Sequence, residues 1–396
     1  MTYPAEGPDV NARRAADDEP QIDLTQLPPV PPTTVAVIET IATGAPQRVV
    51  DQVNAAERAA RLFVDPEQRQ RIPRVYAKTR IDTRRLAVDP LDPEFDAFRR
   101  NPATIRDRMN LYYRHAVPLA VEVARRALAG IPYGAEEIGL LVFVTSTGFL
   151  APGVDVAVVK ELGLPRSVSR VVVNFMGCAA AMNAIRIATS YVRSHPGRKA
   201  MVVCIELCSV NAVFADDLNE VVTHSLFGDG CAALVIGASQ VQEKQEPGKV
   251  VIRGNFSQLL DGAEDGIVLG VNHNGITCEL SENLPDYIYA GVDPLITDVL
   301  RDKGLQKSDI ELWAIHPGGP RIIEESARSL GIPAELAAAS WEVLARYGNM
   351  LSVSLIFVLE MMVRQTDSAK ELTTGMAFAF APGVTVEGML FDIVRR

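Results

Sequence analysis

Cysteine is scarce in this chain: five occur in 396 residues, Cys178, Cys204, Cys208, Cys231 and Cys278. An odd, small number at these spacings excludes a disulfide framework and fits mostly buried thiols in a reducing compartment. Long apolar runs are lacking too. The longest, from Met350 to Val363, is interrupted by Glu360 and too short to cross a bilayer. The acidic start, Met1 to Gln21, has no apolar segment of the signal-peptide kind, so the expected location is the cytoplasm. Basic charge is in deficit, 39 Lys and Arg against 49 Asp and Glu, for a net −10. That balance argues against non-specific nucleic-acid binding while allowing a local basic patch for an anionic ligand. No Gly-x-Gly-x-x-Gly fingerprint, Walker loop or Gly-x-Ser-x-Gly elbow is found, so the common dinucleotide, nucleotide and serine-hydrolase signatures are absent.

What is present is apolar material for a large core or two ordinary domains: 48% hydrophobic residues with 22% charged. Residues 1–33 are rich in Asp, Glu and Pro and read as a disordered or extended arm, unable to offset its ordering entropy by burial. The folded body starts at Thr34-Val35-Ala36-Val37-Ile38. Buried strands are expected at Gly139 to Val144, Arg170 to Val173 and Ala200 to Cys204, with helical patterns between them at Ala116 to Ala129 and Ala179 to Ser194. This alternation predicts an α/β fold with largely parallel strands. The polar stretch Gln240 to Lys249 is the candidate boundary, giving domains 34–245 and 246–396.

A weak internal echo supports that division. Glu137-Ile138-Gly139-Leu140-Leu141-Val142 resembles Asp309-Ile310-Glu311-Leu312-Trp313-Ala314, and Gly177-Cys178 and Gly348-Asn349 each precede an apolar helix. The offsets, 310 − 138 = 172 and 349 − 178 = 171, agree to within one residue and predict a duplicated domain, with Asn349 as the counterpart of Cys178.

Cys178 follows a strand and a glycine and opens an Ala-rich helix, where the helix terminus is expected to favour a thiolate. Taken alone, it reads more readily as a buried structural thiol. His316 changes the balance. It closes the strand Leu312-Trp313-Ala314-Ile315 and opens the loop Pro317-Gly318-Gly319-Pro320, a position suited to projecting into a cleft. The other histidines are less suggestive: His115 and His195 lie in helical or surface contexts, His273 reads as a turn, and His224 as a core residue. Cys, His and Asn together suit a thioester Claisen condensation: Cys178 carries the acyl group, while His316 and Asn349 hydrogen-bond the enolate oxygen left when a malonyl thioester loses CO2. No metal or redox cofactor is required. A zinc site at Cys204 and Cys208, which would share one strand face, lacks a second ligand pair.

The run Val171 to Met182, the Leu226-Phe227-Gly228-Asp229-Gly230 loop, the Ile315-His316-Pro317-Gly318-Gly319-Pro320 loop and the Tyr347-Gly348-Asn349-Met350 turn resemble type III polyketide synthases, the chalcone synthase-like family. Within that family the chain is similar to mycobacterial long-chain alkylpyrone synthases. The resemblance spans Thr34 to Arg396. It implies a homodimer of thiolase-like fold, duplicated α/β domains with a layered α-β-α-β-α core, and malonyl-CoA as extender with no cofactor beyond CoA thioesters. It maps the nucleophile onto Cys178, the decarboxylation pair onto His316 and Asn349, and an aromatic gatekeeper onto Phe227. The CoA site falls on Arg71, Arg74 and Lys78, which share one helical face, and on Gly318 and Gly319. Without the resemblance those three basic residues read as a solvated face.

The departures bear on the substrate. Ala379-Phe380-Ala381-Pro382-Gly383 stands where the family usually has Gly-Phe-Gly-Pro-Gly, and Ala381 then needs a backbone conformation an L-residue tolerates. A second gatekeeping aromatic of plant members falls at Cys278. Thr147, Ala151 and Cys208 are small, and the position of Ala151 is usually a larger residue contributed across the dimer. Such residues predict a channel for a long, thin starter, each buried methylene contributing up to about 0.8 kcal/mol, and hence alkyl α-pyrones from a long-chain acyl-CoA. The rivals are an alkylresorcinol or tetrahydroxynaphthalene type of synthase, a ketoacyl synthase III-like enzyme using a carrier protein, and a non-catalytic acyl-CoA- or lipid-binding protein on the same fold.

Overall fold

A computed structural model of the chain describes residues 34–95, 103–212, 218–241, 243–272, 275–365 and 370–395. The expected arm, 1–33, and His273 lie outside the described residues. The strands are β1 (Thr34–Gly44), β2 (Val49–Asp51), β3 (Thr83–Arg85), β4 (Ile138–Thr145), β5 (Ser169–Asn174), β6 (Lys199–Leu207), β7 (Asp229–Gln240), β8 (Val250–Leu259), β9 (Ile267–Asn272), β10 (Gly275–Leu280), β11 (Leu312–Ile315), β12 (Leu372–Ala381) and β13 (Thr385–Val394). The helices are α1 (Gln52–Ala60), α2 (Pro66–Lys78), α3 (Ile105–Ala129), α4 (Val154–Leu162), α5 (Ala180–Ser194), α6 (Leu218–Leu226), α7 (Leu284–Arg301), α8 (Pro320–Leu330), α9 (Ala338–Tyr347) and α10 (Ser354–Arg364).

Nine strands form one sheet in the order β11-β12-β13-β8-β1-β7-β6-β4-β5. The duplication is visible in how each half is wired. In the first, β1 pairs antiparallel with β7, β7 antiparallel with β6, and β6 parallel with β4. In the second, β8 pairs antiparallel with β13, β13 antiparallel with β12, and β12 parallel with β11. The two first strands, β1 and β8, join the halves. The sheet is therefore mixed, and the largely parallel sheet expected from the alternation is corrected. Only the β4–β5, β4–β6 and β11–β12 junctions are parallel. One reason is local: Pro382, Gly383 and Val384 alone link β12 to β13, and so short a turn permits only an antiparallel partner.

Side-chain alternation along the strands builds the layers. In β4, Leu140, Val142 and Val144 join a core with α5 and α10, while Leu141 and Phe143 face α3 and α4. In β12, Ala377, Ala379 and Ala381 face the same α5–α10 core, while Met376, Phe378 and Phe380 pack with α7 and α8. Helices thus cover the outside of each half and a helix pair lies between them, the α-β-α-β-α arrangement of the thiolase-like fold. The buried Ala180, Ala181, Ala184 and Ala188 let α5 approach strands from both halves. The apolar run from Met350 becomes the buried helix α10, and among the described residues no helix is long and apolar enough to cross a membrane.

The backbone also revises one equivalence. Gly177 (φ 54°) and Leu351 (φ 48°) are both left-handed, and each begins a single 3-10 turn that runs into α5 at Ala180 and α10 at Ser354. The offset is 354 − 180 = 174, so Cys178 corresponds to Ser352. Asn349 lies three residues earlier, in the turn before that motif.

Candidate active site

β5 delivers the chain to a tight turn in which Phe175 (φ 57°) and Gly177 both adopt left-handed conformations. Cys178 occupies the middle of the 3-10 turn Gly177–Ala179 and is partly exposed. The turn is held by the Gly177 amide, which donates to Ser146 Oγ at 3.1 Å. Burial, reinforced by Cys278, pushes the Cys178 thiol well above its ordinary pKa, and the Asn349 side chain works against that rise. The helix start was expected to favour a thiolate, but desolvation outweighs it here, and a thiolate needs a cationic or hydrogen-bonding neighbour.

Asn349 supplies one such neighbour. Its Oδ1 accepts from the Leu351 amide at 2.8 Å, which orients the side-chain amide. Its Nδ2 then donates to Gly318 O at 3.1 Å and reaches Cys178 Sγ at 4.0 Å. The backbone around it is fixed by a crossing with the Phe227 turn, where Asn349 N donates to Leu226 O and Gly228 N to Asn349 O, both at 2.9 Å. Two glycines make this crossing possible. A Cβ on Gly228 would fall 2.2 Å from Tyr347 O, and one on Gly348 (φ 70°) 2.7 Å from Leu226 O.

His316 follows β11 directly, and its amide donates to Phe378 O at 3.0 Å. The ring is buried with neither nitrogen hydrogen-bonded to protein, and burial lowers its pKa to about 3. It is therefore a neutral imidazole, able to take a proton at one nitrogen or donate one from the other. The same loop provides Gly318 O, the acceptor that anchors Asn349, so the three side chains are tied through one loop and two turns.

Two buried charges missed in the sequence frame this site. Glu206, at the end of β6, accepts from Ser146 N (2.9 and 3.1 Å), Thr147 Oγ1 (2.8 Å) and Ser352 Oγ (2.6 Å). Burial raises its pKa to about 7 against the pull of those bonds. It thereby clips together the loop supporting Gly177 and the turn after Asn349. A lone acid in the apolar run Met201 to Leu207 was the available signal. Arg84, fully buried in β3, is the second.

A cavity of about 460 Å³ adjoins these turns, within the usual range for small-molecule sites. Thr147, Cys208, Phe227 and Cys278, all named from the sequence, line it. Cys178, His316 and Asn349 are not on that wall. The connection runs through Phe227, which bridges to Asn349, and through Cys208 and Cys278, which lie close enough to Cys178 to interact with its charge. Ala151 is exposed, away from the cavity of the single chain. Arg71, Arg74 and Lys78 are exposed along α2, whose opposite face buries Ile72 and Tyr76. Gly318 and Gly319 are buried at the start of α8. Ala381 ends β12 without a left-handed backbone, so its extra methyl is accommodated. β6 ends at Leu207, which places Cys208 in a 3-10 turn; it does not share a strand face with Cys204.

A cysteine at a helix start, an amide that reaches it and a buried imidazole on the loop that anchors the amide, carried by two similarly wired halves of one sheet, fit a condensing enzyme of the thiolase-like class. Comparison with known proteins specifies the family. Family models for chalcone and stilbene synthases match, the N-terminal domain over residues 31–240 and the C-terminal domain over 252–395. A Mycobacterium tuberculosis protein named alpha-pyrone synthesis polyketide synthase-like Pks18 is 76% identical over 385 residues, 97% of this chain and 98% of that one. The Mycobacterium bovis protein of the same name matches equally. Among solved structures, PKS-I from the brown alga Ectocarpus siliculosus has a TM-score of 0.84 at 38% identity, over 91% of this chain and 99% of that one. The 1,3,6,8-tetrahydroxynaphthalene synthase of Streptomyces coelicolor A3(2), at 24% identity with the same coverage and a TM-score of 0.81, speaks for the fold. The chain belongs to the chalcone and stilbene synthase family, the type III polyketide synthases, and is an acyltransferase of the decarboxylative Claisen type.

Proposed function

We propose that the protein condenses a long-chain acyl-CoA starter with malonyl-CoA and releases alkyl α-pyrones. The observation that carries this reading is the convergence of Asn349 Nδ2 on Cys178 Sγ beside a cavity walled by Thr147, Cys208 and Cys278. The similarity to a mycobacterial protein named for alpha-pyrone synthesis supports the product. In the first step the Cys178 sulfur attacks the starter thioester, its proton passing to His316, and CoA leaves. Malonyl-CoA then loses CO2, and the enolate oxygen is held by the His316 N–H and Asn349 Nδ2. The resulting carbanion attacks the Cys178 thioester, expelling the thiolate and leaving the extended chain on CoA. The extended chain returns from CoA to the Cys178 sulfur, releasing that CoA, and is extended once more; an enol oxygen then closes on the terminal thioester and the last CoA leaves. One starter and two malonyl-CoA thus give one pyrone, two CO2 and three CoA. No metal or redox cofactor enters this sequence.

The remaining assignments follow from the same reading. Arg71, Arg74 and Lys78 meet the CoA phosphates from the exposed face of α2, with Gly318 and Gly319 beside the thioester end, and Phe227 separates CoA from the cavity. Residues 34–245 and 246–396 are the two halves. A homodimer through the β5 edge is supported by the exposed Phe149, Leu150 and Val172 beside Ala151; a monomer in sedimentation equilibrium would remove it. Five unpaired cysteines suit the cytoplasm.

The starter assignment has its own test. Cys208→Phe places a ring in the cavity wall. Denying space to four methylenes at about 0.8 kcal/mol each costs about 3 kcal/mol, a roughly 10²-fold lower kcat/KM for long starters. Short starters are expected to change little. A folded variant that keeps its long-chain kcat/KM sinks the channel assignment.

A further inference from the structure

Arg84 is a buried cation without an anion. It is fully buried, and no carboxylate lies within ion-pair distance of it among the described residues. The acids whose charges act on it, Asp89 and Asp229, are committed elsewhere: Asp89 to Arg58, and Asp229 to Ala87 N, Ser209 N and Ser209 Oγ. Its Nη2 has no hydrogen-bond partner. Burying a guanidinium this way is unfavourable, and an aliphatic side chain would fill the same volume without that cost. The charge must therefore offset its burial through what it does make.

What it makes is concentrated at the crossing behind the active site. Nη1 donates to the carbonyls of His224 and Phe227, the latter at 3.0 Å. Nε donates to Gln52 Oε1 at 2.9 Å, and Gln52 in turn donates to Ser225 O at 2.7 Å. The guanidinium lies 6.0 Å from the centre of the Tyr76 ring, and Tyr76 Oη contacts His224 Nδ1 at 2.6 Å. The aliphatic stem lies under the second turn: a Cβ on Gly348 would meet Arg84 Cγ at 3.0 Å and Cδ at 3.2 Å. One side chain thus grips the Phe227 turn by its carbonyls and supports the Gly348–Asn349 turn from below. Charge-assisted bonds from a rigid fork suit this task, because they fix direction as well as distance.

We propose that Arg84 is a positioning residue for the condensation: it locks the crossing of the Phe227 and Asn349 turns, so that the Asn349 amide stays aimed at the reacting oxygen through successive extensions. This rests on Asn349 being a decarboxylation partner. Loosening the crossing lets malonyl-CoA lose CO2 without the carbanion meeting the Cys178 thioester, so decarboxylation outruns product formation. A purely structural role would lower stability and leave that ratio alone.

The test compares the native enzyme with Arg84→Met, Arg84→Lys, Gln52→Met and Asn349→Leu. It reads malonyl-CoA consumed per pyrone, kcat, starter KM and Tm. Arg84→Met is expected to lose ~10²-fold in kcat, the order that a misplacement of about 1 Å produces. Its malonyl-CoA use per pyrone rises several-fold and its KM stays near native. Arg84→Lys, which keeps the charge, recovers part of both, and Gln52→Met shifts the ratio in the same direction by less. If Arg84→Met does not fold, Arg84→Lys and Gln52→Met decide by the same ratio. Native ratio and kcat in the folded Arg84 variants, with only Tm lowered, overturn the proposal. An Asn349→Leu enzyme that decarboxylates malonyl-CoA at the native rate instead overturns the reading of Asn349 on which the proposal rests.

Discussion

Replacing Cys178 by alanine is expected to abolish pyrone formation, by roughly 10³-fold or more, while malonyl-CoA continues to lose CO2 within about tenfold of the native rate. The separation follows from how the site is held. The Asn349 amide is fixed by Leu351 N and Gly318 O, and His316 by the backbone pairing of its amide with Phe378 O. None of these contacts involves the sulfur, so enolate stabilisation survives its loss and only the acyl carrier disappears. The substitution removes a single partly exposed atom, and the fold is expected to be unaffected. Chromatographic measurement of acetyl-CoA against pyrone reads both activities in one reaction. Persistent pyrone formation would move the carrier elsewhere, with Cys208 and Cys278 on the cavity wall as the thiols to examine next.

His316→Leu is expected to have the complementary effect. Leucine fills the buried site but can neither accept nor donate a proton. Loss of one oxyanion donor typically lowers kcat by ~10²–10³-fold, so decarboxylation and condensation should fall together. A second signature separates this from misfolding. Burial opposes the Cys178 thiolate, and in the proposed reaction the neutral His316 imidazole is the base that takes the thiol proton. Removing that base is expected to slow alkylation of the Cys178 thiol by iodoacetamide at a fixed pH by roughly 10²-fold. A folded His316→Leu enzyme with native decarboxylation and an unchanged alkylation rate would take His316 out of the chemistry.

The residues proposed to react are legible because each stands at a punctuation mark in the sequence. Cys178 follows Gly177 at a strand-to-helix turn, His316 follows an apolar strand and precedes two glycines, and Asn349 follows Gly348. The residues that hold them are not. Glu206 reads as one acid in a buried strand, and Arg84 as half of an Arg-Arg pair in a short polar segment; their partners lie 146 and 143 residues away, at Ser352 and Phe227. No local period encodes such contacts. The internal repeat was visible, but its register slipped by three residues, because the turn carrying Asn349 was matched by its glycine, whereas the backbone match is the left-handed residue before each helix. The parallel sheet was over-read for a similar reason: an apolar strand buried on both faces looks the same whichever way its neighbour runs. The helix terminus at Cys178 is local and legible, whereas the burial that raises its thiol, reinforced by Cys278, comes from residues distant in sequence.

The proposed reaction pairs a long-chain starter with malonyl-CoA on Cys178. The most direct measurement gives the native protein malonyl-CoA and a ladder of saturated acyl-CoA starters and identifies the products by mass spectrometry. Alkyl pyrones whose masses equal starter plus two extensions, with kcat/KM rising along the ladder into the long chains, are the predicted result. Products from short or aromatic starters alone, or product formation only from a carrier-protein-bound malonyl donor, would contradict it.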